Sequence, residues 1–174
     1  MEATVRQLRN HPSICYWTIF NEAWGQFDSD AVCEKFRALD SSRFIDATSG
    51  WFRRKNTDVD SRHVYFRRVK LKASDKPLVL SEFGGYSYKP EGHVFNTEET
   101  YGYGKFEEIE PFREALEALY KEQIVPLVPK GLCAAVYTQV SDVEDETNGI
   151  LTYDRRICKL KPQQMRPIAE ALKL

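Results

Sequence analysis

Residues 14–24 read ICYWTIFNEAW, and the change of character at Asn21 decides how the chain is to be folded. The first seven residues are apolar, β-branched and aromatic, the composition of a buried strand. Polar residues arrive abruptly at Asn21 and Glu22, which places the pair at a strand's exit, where the chain leaves its sheet. Asn is also an ordinary turn residue. On local sequence two readings stay open, a plain strand-to-loop junction and a functional pair.

Four more segments have strand character: RFIDA (43–47), RHVYF (62–66), PLVLS (77–81) and LCAAVYTQV (132–140). Helical signals lie between them. FDSDAVCEKFRALDSS (27–42) opens on the capping residues Asp28 and Ser29 and carries Val32, Phe36 and Leu39 at helical spacing. PFREALEALYKEQI (111–124) sets Phe112, Ala115, Leu116, Leu119 and Tyr120 on one face, and Pro126, Pro129 and Gly131 end it. The opening ATVRQLRNHPS reads as the last turns of a helix stopped by Pro12. A last helix carries Met165, Ile168, Ala169 and Leu172, with Pro167 in its first turn or at a kink. Residues 82–105 read as one long irregular stretch. Strands alternating with helices or long crossovers call for a parallel sheet. The expected class is therefore α/β, with five parallel strands in one domain over residues 1–174. Five strands do not by themselves close a barrel of eight.

Composition narrows the classes of function. The 174 residues are 42% hydrophobic and 29% charged, the balance of a globular chain long enough for one real core. No apolar run approaches the roughly 20 residues that span a bilayer, and MEATVRQLRN lacks the apolar centre of a signal peptide. The net charge of −1 favours neither nucleic acid nor an acidic membrane. Cys15, Cys33, Cys133 and Cys158 show no CxxC or Cys/His ligand spacing. Cys15 and Cys133 fall inside expected buried strands, where a thiol acts as a small hydrophobe. All four are read as free thiols in a reducing compartment, which suggests a bacterial-type cytoplasm.

In parallel α/β folds the chemistry gathers beyond the carboxyl ends of the strands. Glu22 follows ICYWTIF and Glu82 follows PLVLS, so both carboxylates are expected on one rim. Two carboxyl groups there suit glycosidic bond cleavage. One stays protonated to donate to the leaving oxygen, and the other, ionised, attacks the sugar carbon. Taken singly, each glutamate also suits a structural role, capping a helix or pairing with a surface base.

Four phrases carry a resemblance over nearly the whole chain: RNHPSICYWTIFNEAWGQF (9–27), FIDATSGW (44–51), KPLVLSEFGG (76–85) and YTQVSDVEDETNGILTYDR (137–155). Together they are similar to family 2 glycoside hydrolases, which include β-galactosidases, β-glucuronidases and β-mannosidases. The resemblance implies a (β/α)8 TIM-barrel fold and a retaining mechanism through a covalent glycosyl-enzyme. It implies that Glu22 is the acid/base, that Asn21 holds the sugar 2-hydroxyl, and that Glu82 is the nucleophile. The substrates it implies are β-glycosides such as β-galactosides or β-glucuronides, with no metal or organic cofactor called for here.

Other positions match more loosely. His63 and Tyr65 resemble the family's sixth-strand end, where a Tyr steadies the nucleophile; packed strand side chains are the alternative. Tyr137 aligns with an aromatic that floors the sugar site, or is a core Tyr. Trp24 and Trp51 stack on sugar faces or anchor loops. Tyr86, Tyr88, Phe95, Tyr101 and Tyr103 suit a self-packed loop. The basic run from Arg53 to Lys72 reads as a solvated face or as a contact for an anionic group.

Against the family, the sequence begins near the end of the third barrel helix and runs through strand 8 and helix 8. The expectation is a barrel portion comprising strands 4–8, without the first three strands. Its open edges invite association with a second copy. Two functions follow from this reading. One is a retaining β-glycosidase, competent only when completed by the missing strands or by a partner. The other is a non-catalytic sugar-binding or oligomer-forming remnant.

Overall fold

The expected first strand is real but short. In the computed structural model, which describes residues 1–172, β1 is Tyr16–Thr18 and pairs in parallel with β2, Phe44–Asp46. The register sets Trp17 against Ile45. Hydrogen bonding continues past the ladder: Ile19 N–H donates to Asp46 O at 3.0 Å, Phe20 N–H to Ala47 O at 3.2 Å, and Glu22 N–H to Ser49 O at 2.9 Å. The chain therefore runs beside residues 46–49 as far as Glu22.

The described residues form two compact units, one of residues 1–63 and 73–81, the other of residues 64–72 and 82–172. In the first, α1 (Glu2–Leu8) and α2 (Ser29–Leu39) accompany β1 and β2. Their apolar side chains meet in one core of Val5, Trp17, Cys33, Phe36, Ile45 and Ala47. The Trp17 ring lies 5.8 Å from that of Phe36, and its indole N–H donates to Asp40 Oδ2 at 3.0 Å. Burial pushes the Asp40 carboxyl up, but hydrogen bonds from Ser42, Trp17 and Arg43 outweigh it and hold the group well below the usual carboxylate range.

The expected single parallel sheet is divided. Among the described residues the strands form sheets of two, three and two members, and no closed ring of strands is present. Beside β2, Asp58 Oδ2 accepts from Ile45 N–H at 2.8 Å, and Ile45 O accepts both the Thr57 hydroxyl at 3.2 Å and the main-chain N–H of Asp58 at 2.8 Å. The outward backbone groups of Ile45 are thus satisfied by residues 57 and 58. The next strands, β3 (Asp60–Val64) and β4 (Leu78–Gly84), belong to the three-stranded sheet, whose third member is β7 (Leu132–Thr138).

In the second unit the stretch expected to be irregular contains two strands. β5 (Tyr86–Tyr88) and β6 (Tyr103–Phe106) pair in parallel with a register shift between Tyr86 and Ser87. The glycines around them hid the alternation. Helix α3 (Ile109–Leu119) buries Phe112, Leu116 and Leu119. It does not run on to 124 as a regular helix. A π turn, Tyr120–Ile124, and a 3-10 segment, Val125–Lys130, follow. Pro126 and Pro129 have no N–H to continue the α ladder. Helix α4, Pro162–Ala171, starts on Pro162 and carries Pro167 inside it rather than in its first turn.

Two cysteine expectations fail. Cys15 and Cys133 are exposed. Only Trp17 of β1 is buried, and in β7 only Leu132 and Tyr137 are. Cys15 lies just before β1, and in β7 Cys133, Ala134 and Val136 are all exposed, so neither thiol is part of a core.

Candidate active site

Each unit arranges its own set of expected site residues. In the first, Glu22 has a left-handed backbone, φ 49°, uncommon for a non-glycine residue. The conformation is held by the Ser49 carbonyl on its N–H and by the Gln26 side-chain amide, which donates to the Glu22 carbonyl. The bend presents the carboxylate to His63. Nδ1 of His63 lies 2.9 Å from Glu22 Oε1, and Nε2 lies 2.9 Å from Ser49 Oγ. The His63 side chain has no exposed surface.

Gly50 makes this possible. Its φ of +85° suits glycine, and a Cβ there would stand 2.3 Å from the His63 ring. Trp51 follows, with its ring 6.4 Å from the His63 ring. Trp24 sits 6.3 Å beyond Trp51 and is exposed. Asn21 is exposed beside Glu22.

In the second unit Glu82 lies within β4, not after it, because that strand runs on to Gly84. The Tyr65 hydroxyl donates to Glu82 Oε2, and its oxygen lies 3.2 Å from Thr138 Oγ1, at the end of β7. Tyr103 stacks on the Tyr65 ring at 4.5 Å. Burial, together with the bond to Glu82, pushes the Tyr65 phenol up, so it stays a proton-bearing donor at neutral pH. Tyr137 is 8% exposed and its hydroxyl donates to Tyr86 O at 3.4 Å. Its ring lies where a Cβ on Gly84, φ +82°, would come within 2.5 Å.

The structure thus brings Glu22, His63 and Trp51 together in one unit, and Glu82 and Tyr65 in the other. Ser49 and Thr138, which contact them, went unread, although both stand inside the quoted phrases ATSGW and YTQV. Tyr103, read as a loop aromatic, is a packing partner of Tyr65. The basic run is partly neutralised: Arg53 and Arg62 both pair with Asp60 at 2.7 Å.

The profile for "Glycosyl hydrolases family 2, TIM barrel domain" matches residues 1–164. The chain belongs to this family. No curated protein matches the chain. The family 2 domain is a glycosidase domain, and its substrates are carbohydrates.

The closing phrase of this domain has a structural account. Lys159, with a side chain that has no exposed surface, donates from Nζ to Asp142 Oδ1, Tyr88 O and Thr147 O, each at 2.8 Å. Burial pushes the Asp142 carboxyl up and the Lys159 ammonium down. Gln139 Nε2 donates to Glu146 Oε2 at 2.8 Å and to Asn148 Oδ1 at 2.9 Å. The segment is folded around a buried ammonium.

Proposed function

We propose that this family 2 domain is a retaining β-glycosidase in which Glu82 is the nucleophile and Glu22 the acid/base. The observation that carries the reading is the hydrogen bond from the Tyr65 hydroxyl to Glu82. A phenol kept protonated by burial stabilises an ionised carboxylate without being able to take its charge, as a nucleophile requires. In the first step Glu82 attacks the anomeric carbon while Glu22 gives its proton to the departing oxygen. In the second, Glu22 takes a proton from water, which cleaves the glycosyl ester and regenerates Glu82. Asn21 is assigned to the sugar 2-hydroxyl. Trp51 and Tyr137 are assigned to sugar contacts, Trp51 on the strength of its place beside His63.

The deciding experiment is hydrolysis of nitrophenyl β-galactoside, β-glucuronide and β-glucoside, with Glu82→Gln as control. Turnover of one member that is lost in the variant supports the reading. Turnover that survives Glu82→Gln rejects it.

Self-association belongs to the same proposal. β7 ends its sheet, and Val136 and Val140 are 55% and 71% exposed. An edge strand with apolar side chains invites pairing with a second copy.

A further inference from the structure

The first unit contains a run of hydroxyls that the catalytic reading does not use. Ser49, Ser61 and Ser81 are joined behind His63: Ser49 Oγ is 3.3 Å from Ser81 Oγ, and Ser61 Oγ is 2.6 Å from Ser81 Oγ. Ser49, Ser61 and the His63 side chain are all buried. In such a place each proton must have an acceptor, because an unmatched buried donor or acceptor is costly.

Following the protons gives a direction. Ser81 and Ser61 have acceptors of their own in either order, the Arg62 carbonyl at 3.3 Å from Ser81 Oγ and the Tyr16 hydroxyl beside Ser61, with one proton shared between the two serines at 2.6 Å. Gly50 N–H donates to Ser61 Oγ at 3.3 Å. The single proton of Ser49 then has two acceptors, Ser81 Oγ at 3.3 Å and His63 Nε2 at 2.9 Å. The shorter contact is the one to the ring. A neutral imidazole that accepts at Nε2 carries its proton on Nδ1, which faces Glu22 Oε1 at 2.9 Å. In the reverse tautomer Nδ1 could only accept, and the carboxyl proton would have to sit on Oε1, facing the ring instead of a leaving group.

We propose that Ser49 is a positioning residue that fixes the tautomer of His63, so that Nδ1–H is donated to Oε1 of Glu22. The mobile proton of that carboxyl is thereby confined to Oε2. This rests on the reading of Glu22 as the acid/base, for which one defined proton-bearing oxygen is an advantage: the leaving group always meets the same atom. Ser49 also fixes the backbone of Glu22, whose N–H bonds its carbonyl at 2.9 Å. One residue therefore holds both the main chain of Glu22 and, through His63, its carboxylate.

Long-range proton–nitrogen correlation NMR on the full, 15N-labelled chain reads the tautomer directly, with the His63 signals assigned by their loss in His63→Gln. The expected pattern is a single tautomer protonated at Nδ1. It is retained in Ser49→Thr, which keeps the hydroxyl, and replaced by mixed or averaged signals in Ser49→Ala. An Nε2–H tautomer in the unsubstituted chain overturns the proposal, and so does a Ser49→Ala spectrum unchanged from it. Should Ser49→Ala fail to fold, the unsubstituted chain and Ser49→Thr still decide the matter. The spectra do not depend on turnover. Failure of the glycosidase reading shows instead as a nitrophenyl glycoside panel without Glu82-dependent hydrolysis. Where a substrate turns over, Ser49→Ala is expected to slow an alkyl glycoside about tenfold and an activated dinitrophenyl glycoside little, since only the former needs the proton.

Discussion

Nδ1 of His63 stands 2.9 Å from Oε1 of Glu22, and this contact joins residues 41 positions apart in the chain. It depends on the passage of residues 49–51 over the imidazole ring. Gly50→Ala is expected to destabilise the chain by more than about 1 kcal/mol, from backbone strain and from the 2.3 Å approach of the new Cβ to the ring. Gly25→Ala is the control, because Gly25 has a similar φ of +86° but nothing within 4 Å of a Cβ. Urea denaturation should show the larger loss at Gly50. Equal losses would mean that the ring does not constrain the loop.

Tyr65→Phe removes the hydrogen bond to Glu82 while leaving the stacked ring on Tyr103. A hydrogen bond to a charged group contributes about 1.5–3 kcal/mol, so kcat/KM on a turned-over glycoside is expected to fall about 10- to 100-fold. Thermal stability should change much less than in a core truncation. A variant with undiminished kcat/KM would remove Tyr65 from the mechanism.

Lys159→Met strands the Asp142 carboxylate in the interior, where breaking such a pair costs about 3–5 kcal/mol. The double variant Lys159→Met/Asp142→Leu is expected to recover a large part of that loss, because no uncompensated charge remains. Denaturant midpoints of the three proteins measure this. A double variant no better than the single would show that the ammonium's bonds to Tyr88 and Thr147 carbonyls matter more than its charge partner.

Acid sensitivity follows from Asp40. Its folded-state carboxyl is held below its usual value, so the unfolded chain takes up a proton first as pH falls. The stabilisation is complete well above the ordinary aspartate value of about 3.9 and declines as pH drops through and below it. Asp40→Asn is expected to be less stable at neutral pH and to lose less stability between about pH 5 and 2. Parallel pH profiles for the two proteins would contradict this assignment.

The exposed apolar positions of β7 predict association. Light scattering across micromolar concentrations is expected to give a mass above 20.2 kDa for the chain, with Val136→Lys shifting it toward the monomer. A monomer at every concentration would show that the β7 edge is not an interface.

Each of the five segments with strand character holds a strand, though in three sheets rather than one, and α2, α3 and α4 cover stretches whose apolar spacing marked them, α3 ending at Leu119, because periodicity is a property of neighbouring residues. Asn21-Glu22 and Glu82 stood out as candidates for the same reason: each is an abrupt polar entry at or near a strand's end. Other features depend on residues far apart in the chain. Thr57 and Asp58 satisfy the outward backbone groups of Ile45 in β2, which no pattern within RFIDA reveals. Tyr86–Tyr88 becomes a strand only because Tyr103–Phe106 comes back beside it. Cys15 and Cys133 are exposed although their segments read as buried strands, because burial is set by what the rest of the chain packs against each position. The partners of the candidate residues, Ser49 on His63 and Thr138 on Tyr65, were equally beyond local reading. A hydrogen bond of about 3 Å is formed by the folded chain, and only the tertiary structure brings such side chains within that distance.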